Sequence, residues 1–206
     1  MHILITAGPT REPIDGVRYL SNRSSGKMGL AIANAAIEAG HEVTLLLGPI
    51  GDVRLHEEIL VQRFESCSDL EALLAEHWPA HDLLIMAAAV ADYRPKQWHD
   101  GKLERGKDMM LHLTPTPDLV KQAAQAKQTH QRVVAFALED AAVLIERATA
   151  KMKRKGVDAI VANPLATMDS PDIAPTWITA DGRSVALESM GKTDFARRLV
   201  AMATAL

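Results

Sequence analysis

The chain has 206 residues, of which 48% are hydrophobic and 24% charged, with a formal net charge of −3. That length suits one domain able to bury a core without disulfides or structural metal, and the composition excludes disorder as the default. The mixed signs leave no broad basic field for a nucleic-acid backbone, and the single cysteine, Cys67, excludes an intramolecular disulfide and a cysteine-based zinc site.

A lone cysteine fits a reducing compartment. Cys67 stands in a polar stretch with no motif around it, so it reads as a bystander and not a nucleophile. The N-terminus opens on a strand-like run at 3–6 and not on a basic region followed by an apolar segment. No apolar run approaches the roughly 20 residues needed to span a bilayer. A soluble, cytoplasmic chain without nucleic-acid or membrane partners is therefore expected.

Along the chain, β-rich runs at 3–6, 42–47, 59–64, 82–87, 109–114, 132–137 and 158–162 alternate with helical patterns. The rhythm predicts an α/β fold with a mainly parallel sheet and helices on both faces. Helices are expected at 26–39, closed by Gly40; at 69–78 behind a Ser68 cap; at 117–127 with proline at its start; and at 141–154, stopped by Gly156. Asp181-Gly182 between runs at 176–180 and 184–187 predicts a C-terminal β-hairpin. A helix at 193–205 follows, and the irregular segment 163–175 reads as a lid or an interface. No repeat or linker suggests a second domain.

Ligands of parallel sheets collect at the carboxyl ends of strands. The first strand-to-helix connection is unusually long, which marks it as functional or disordered. Around Tyr19 to Gly29 it offers Ser24, Ser25 and Gly26 at a helix start, with Arg23 and Lys27 adding charge, and so reads as an anion cradle for a phosphorylated nucleotide. It is not a P-loop, because Ser21 and Met28 occupy positions that need glycine and Ser or Thr. The dinucleotide fingerprint also fails at Gly8-Pro9-Thr10. The plain alternative is a serine N-cap with Gly29 packing closely.

The fourth strand runs out through alanines to Asp92, Tyr93 and Arg94. Small residues admit a ligand to the backbone, and Asp92 is placed to hold a metal-bound phosphate or a hydroxyl, unless it merely pairs with Arg94. Lys102 by itself reads as solvated surface. Phe136 either walls a base or fills the core. Lys151 and Lys155 are expected at a helix C-terminus from the macrodipole alone, yet share one face four residues apart.

Taken together, Gly8-Pro9-Thr10-Arg11-Glu12-Pro13, the runs 17–29 and 87–94, Phe136-Ala137, the basic run to Lys155 and Val161-Ala162-Asn163 resemble phosphopantothenoylcysteine synthetase over nearly the whole chain. The resemblance implies one domain over 1–206 with a modified Rossmann-like three-layer fold. It implies a ligase of coenzyme A biosynthesis that joins 4′-phosphopantothenate to cysteine through an acyl-nucleotidylate, using CTP or ATP with Mg²⁺ and releasing pyrophosphate. No flavin is implied; the form is monofunctional, a homodimer, with the decarboxylase a separate protein.

By the same resemblance Asn22 is catalytic and substrate-binding, its amide N–H donating to the acyl oxyanion, and Arg18 binds substrate. Ala88, Asp92, Lys102, Phe136, Lys151 and Lys155 take nucleotide roles, with Lys102 also catalytic and Asp92 also a metal ligand. The chain departs from the family at Glu139-Asp140, where an acid and Thr are common, and in the thinned patch Lys102-Leu103-Glu104-Arg105. An NAD(P)-dependent reductase would need a glycine fingerprint and a Tyr-Lys pair four apart, but Tyr19 and Tyr93 have Arg23 and Gln97 there. A nucleotide sensor would tolerate loss of Asn22.

Overall fold

Near-continuous apolar runs become the central strands of the computed structural model, which describes residues 1–106, 108–167, 170 and 172–206. In chain order the elements are β1 (His2–Ala7), α1 (Lys27–Glu38), β2 (Glu42–Leu47), β3 (Leu60–Arg63), α2 (Cys67–His77), β4 (Leu83–Met86), α3 (Leu119–Ala126), β5 (Arg132–Glu139), α4 (Leu144–Lys155), β6 (Ala159–Pro164), β7 (Thr176–Thr179), β8 (Ser184–Ala186) and α5 (Lys192–Ala203).

The strands form one 8-stranded sheet in the order β8-β7-β6-β5-β4-β1-β2-β3. Strands β1 to β6 run parallel in the doubly wound order, with the switch point between β1 and β4. β7 joins β6 antiparallel and pairs with β8 through the expected Asp181-Gly182 turn. Helices α1 and α5 bury one sheet face, packing Ile32, Phe195 and Leu199 against Ile3, Ile5 and Val161. Helices α2, α3 and α4 cover the other, where Leu70, Leu119 and Met152 meet Leu4, Leu84 and Ala162. Alternation along each strand, with side chains on successive faces, feeds both cores. Among the described residues, no helix is long and apolar enough to cross a membrane.

Several local expectations shift. Helix α2 starts two residues early, because Ser66 and Asp69 form a capping box, while Ser68 accepts a hydrogen bond from Arg94 Nη1 at 2.9 Å. Helix α1 is preceded by Gly26 in the left-handed region at φ 71, with no side-chain cap, so the serine-cap reading is wrong. Asp118 caps α3 through its side chain, and a short turn at Ala141–Val143 precedes α4. The run predicted as a strand at 109–114 does not join the main sheet. Only Leu113–Pro115 is extended, pairing with Tyr93–Pro95 in a two-stranded ribbon. The long first connection is ordered by a second ribbon, Arg11–Pro13 with Tyr19–Ser21. The irregular stretch 163–175 includes 168, 169 and 171, which lie outside the described residues.

Candidate active site

A cleft of about 950 Å³ lies over the carboxyl ends of β1, β4, β5 and β6, at the switch point of the sheet. That size falls in the range of small-molecule sites. Gly29 brings α1 close to β1: a Cβ there would stand 2.4 Å from Ala7 Cβ. The approach sets the first turn of α1 at the cleft, where Gly26, Lys27, Met28 and Gly29 all contribute to the wall. Gly26 N–H donates to Ser24 Oγ at 3.4 Å, and with no side-chain acceptor at the cap the N–H groups of Lys27, Met28 and Gly29 remain available to an anion.

The opposite wall follows β4. Buried Thr6 and Thr10 fix it: Thr6 Oγ1 accepts from Ala88 N–H and Thr10 Oγ1 from Ala91 N–H, each at 3.0 Å. The backbone adds Ala89 N–H to Gly8 O at 2.9 Å and Thr10 N–H to Ala89 O at 3.2 Å. The alanine row is thus a shaped backbone surface, and Ala88 and Asp92 both line the cleft. Asp92 is exposed and makes no ion pair with Arg94 among the described residues.

Asn22 bridges the two walls. Its Nδ2 donates to Ala89 O at 3.2 Å and Val90 O at 3.0 Å. Both amide hydrogens expected to meet an oxyanion are therefore engaged by backbone carbonyls in this conformation. The side chain holds the loop after the Tyr19–Ser21 strand against the end of β4.

Phe136, in the second half of β5, lines the cleft and is half-buried. Lys151 Nζ donates to Phe136 O at 3.2 Å, and Lys155 Nζ pairs with Asp118 Oδ1 at 2.7 Å. Burial lowers the Lys151 pKa, and the neighbouring Lys155 charge lowers it further, against the opposing pull of Glu139, Asp92 and Asp118. For Asp118 burial pushes upward, but the Lys155 hydrogen bond and the Lys121 N–H outweigh it and hold the carboxyl below its ordinary value. Lys27, Arg23 and Arg154 also line the cleft. A chain of net charge −3 thus concentrates cations where its backbone donors converge.

Arg18 and Lys102 are not among the cleft-lining residues. Arg18 is a clamp: its Nε donates to Asp15 Oδ2 at 2.9 Å, its Nη2 also reaches Asp15 Oδ2, and Nη2 donates to Leu103 O at 2.8 Å. The Arg18 guanidinium, helped by the Val17, Arg18 and Leu103 N–H groups, outweighs burial and holds the Asp15 carboxyl far below the usual carboxylate range. Lys102 is exposed beside this clamp. Cys67 is buried, and burial pushes its thiol up to about 11, which makes it inert as the sequence suggests.

The site includes residues outside the predicted set. Arg154 lay in the basic run, and Asn163 closed the Val161-Ala162-Asn163 motif of the resemblance just past the predicted strand, without an assigned role. Lys192, first in α5, carried no sequence signal for a ligand site. Among the described residues no group of three or more His, Cys, Asp or Glu side chains is placed to hold a metal ion.

The chain matches the family model described as DNA/pantothenate metabolism flavoprotein C-terminal domain over residues 1–206. It is 43% identical over 164 residues to a cysteine/cysteine sulfinic acid decarboxylase of an unknown prokaryotic organism, covering 79% of this chain and 45% of that one. It is 40% identical over 204 residues to the coenzyme A biosynthesis bifunctional protein CoaBC of Vibrio parahaemolyticus, covering 94% of this chain and 50% of that one. The chain thus spans about half the length of the curated relatives it matches. Among solved structures, the C-terminal domain of a CoaBC protein superposes with a TM-score of 0.84 at 36% identity, covering 98% of this chain and 92% of that one. The DNA/pantothenate metabolism flavoprotein from Streptococcus pneumoniae shares the fold at a TM-score of 0.85 and 22% identity, covering 100% of this chain and 99% of that one. The family match runs from end to end, and a solved domain superposes on nearly the whole chain: the chain belongs to the DNA/pantothenate metabolism flavoprotein C-terminal domain family.

Proposed function

We propose that the chain is a cytoplasmic ligase of coenzyme A biosynthesis that joins 4′-phosphopantothenate to cysteine at the expense of a nucleoside triphosphate, CTP or ATP. Relatives carry two different activity names, so the reading rests on the cleft. The observation that carries it is a single cleft uniting an uncapped helix N-terminus and Asn22 with the Lys151, Arg154 and Lys155 wall. Such a site accommodates two anionic partners side by side, as a reaction between a carboxylate and a triphosphate requires.

In the first step a carboxylate oxygen of phosphopantothenate attacks the α-phosphorus. The P–O bond to pyrophosphate breaks, and its electron pair leaves with pyrophosphate. In the second, the neutral amine of cysteine attacks the acyl carbon, the C–O bond to the nucleoside monophosphate breaks, and the surplus N–H proton passes to solvent. Lys151 and Lys155 offset phosphate charge, and Phe136 with Ala88 bounds the nucleotide. Asn22 holds the acyl group, its amide turning from the Ala89 and Val90 carbonyls to the acyl oxygen.

Mg²⁺ usually takes one or two carboxylates plus substrate phosphates rather than a protein cage. An exposed Asp92 in the basic cleft suits that mode. Held there, the ion would supply charge neutralisation on the pyrophosphate. Lys102 contributes when the segment carrying it closes over bound nucleotide, with Arg18 anchoring that segment through Leu103 O. A homodimer is supported by exposed apolar side chains on and beside the two ribbons, among them Tyr19, Tyr93, Trp98 and Leu113.

The test supplies phosphopantothenate, cysteine, Mg²⁺ and each nucleoside triphosphate in turn, and measures pyrophosphate. Release with CTP or ATP that depends on phosphopantothenate is expected, and no release with any of them refutes the activity. Asn22→Asp separates enzyme from sensor: loss of product with nucleotide binding retained is expected.

A further inference from the structure

Asp15 is a buried carboxylate outside the cleft: its side chain is 0% exposed and the residue as a whole 3%. Taking such a charge out of water is costly unless donors surround it. Its two oxygens divide those donors. Oδ1 accepts Val17 N–H at 2.9 Å and Arg18 N–H at 2.8 Å, which closes a turn within its own loop. Oδ2 accepts Arg18 Nε at 2.9 Å and, 88 residues along the chain, Leu103 N–H at 3.1 Å. A local turn needs only the first oxygen. The second joins the first connection to the segment that carries Lys102.

The backbone makes the junction specific. Gly16 N–H donates to Gly101 O at 2.7 Å, and His99 N–H donates to Ile14 O at 3.2 Å. Arg18 Nη2 donates to Leu103 O at 2.8 Å. Gly16 permits the approach, since a Cβ there would stand 3.1 Å from Gly101 O. The peptide groups on both sides of Lys102 are therefore held, Gly101 O before it by Gly16 and Leu103 N–H after it by Asp15. The Lys102 side chain stays exposed above them.

A lysine that only solvates the surface needs no such support. One that must meet a phosphate at a fixed place benefits, because the cost of ordering its backbone is met before the ligand arrives.

Resting on the ligase reading, in which Lys102 acts when its segment closes over bound nucleotide, we propose that Asp15 is a positioning residue for Lys102. Through Oδ2 it fixes the Leu103 amide, and with Arg18 it holds the backbone under the lysine before nucleotide binds. The segment closes from a fixed foot. Asp15 does not line the cleft and acts only through the lysine.

The experiment is a double-mutant cycle read as the quenched-flow rate of acyl-nucleotidylate formation with phosphopantothenate, Mg²⁺ and CTP or ATP. Asp15→Asn leaves one acceptor oxygen where the two segments use two. Leu103→Pro keeps Asp15 and deletes only the amide hydrogen it receives. Each of these, like Lys102→Ala, is expected to slow activation about tenfold or more. Either one combined with Lys102→Ala should be no slower than Lys102→Ala alone, because an absent lysine needs no placing. Amide exchange at Leu103 in the unsubstituted chain should run at least about tenfold below the intrinsic rate, and Asp15→Asn should abolish that protection.

Losses that multiply in the double variants would make Asp15 a general support of the fold and overturn the proposal, as would an unprotected Leu103 amide. If Asp15→Asn does not fold, the Leu103→Pro arm decides by the same criterion. Full activation rate in Lys102→Ala would leave nothing to position and overturn the proposal with the ligase reading intact. An unsubstituted chain that forms no acyl-nucleotidylate would sink the ligase reading, and the role of Asp15 with it.

Discussion

Lys151 carries the clearest electrostatic consequence at the scale of single residues. A lysine whose pKa lies below its ordinary value near 10.5 loses its proton earlier as pH rises. Its charged form opposes folding, so stability from this group increases with pH between the lowered value and 10.5. Nucleotide affinity should run the other way, falling as pH climbs through the lowered pKa. Lys151→Met should raise the nucleotide Kd by about tenfold, remove the alkaline fall, and leave the melting temperature equal or higher. Calorimetric titration from about pH 7 to about pH 10 checks this; an unchanged alkaline limb in the variant would clear Lys151 of the role. From sequence, Lys151 and Lys155 were indistinguishable from lysines that complement a helix dipole. Only the fold aims Lys151 at the Phe136 carbonyl of β5 and Lys155 at Asp118, and only the fold ties Arg18 to Asp15 and Leu103 instead of to the cleft.

At the scale of elements, the start of α1 depends on one missing methyl group. A Cβ on Gly29 would lie 2.4 Å from Ala7 Cβ and 3.1 Å from Thr6 O, and neither neighbour can yield without moving β1. Gly29→Ala should cost about 1–3 kcal/mol of stability and weaken nucleotide binding as the helix start shifts. Gly51→Ala, where nothing lies within 4 Å and φ is ordinary, should stay within about 0.5 kcal/mol. Denaturant unfolding and nucleotide titration of both variants test the claim; equal behaviour would mean the close approach is unimportant. The long strands and helices were legible because their apolar periods span several turns or pleats. The ribbons Arg11–Pro13 with Tyr19–Ser21 and Tyr93–Pro95 with Leu113–Pro115 were not, since three residues carry too little period to register. Ser66 displaced Ser68 as the α2 cap because the capping box needs Asp69 three residues on.

At the scale of the whole molecule, the strand order puts the ends of β1 and β4 at a switch point, and the cleft follows from that topology. The parallel sheet and terminal hairpin were readable from sequence, and motif resemblance pointed to Asn22 and the alanine row, which line the cleft. The α5 contribution was not, because Lys192 lies more than a hundred residues along the chain from Asn22 and only the sheet brings their helices to one face. The exposed Tyr93 and Trp98, at 54% and 57%, belong to the ribbon region that a second copy would cover. Tyr93→Lys with Trp98→Lys should convert a dimer to monomer in sedimentation velocity. A wild-type chain that sediments only as monomer would remove the dimer from the account.

The central claim is that one cleft activates a carboxylate with a nucleotide and then passes it to an amine. Mixing the protein with CTP or ATP, Mg²⁺ and phosphopantothenate, withholding cysteine, and quenching for mass spectrometry tests it directly. The expected result is an enzyme-bound phosphopantothenoyl nucleotidylate that accumulates with pyrophosphate and is consumed when cysteine is added. Nucleotide binding without that species, or its persistence after cysteine, would contradict the account.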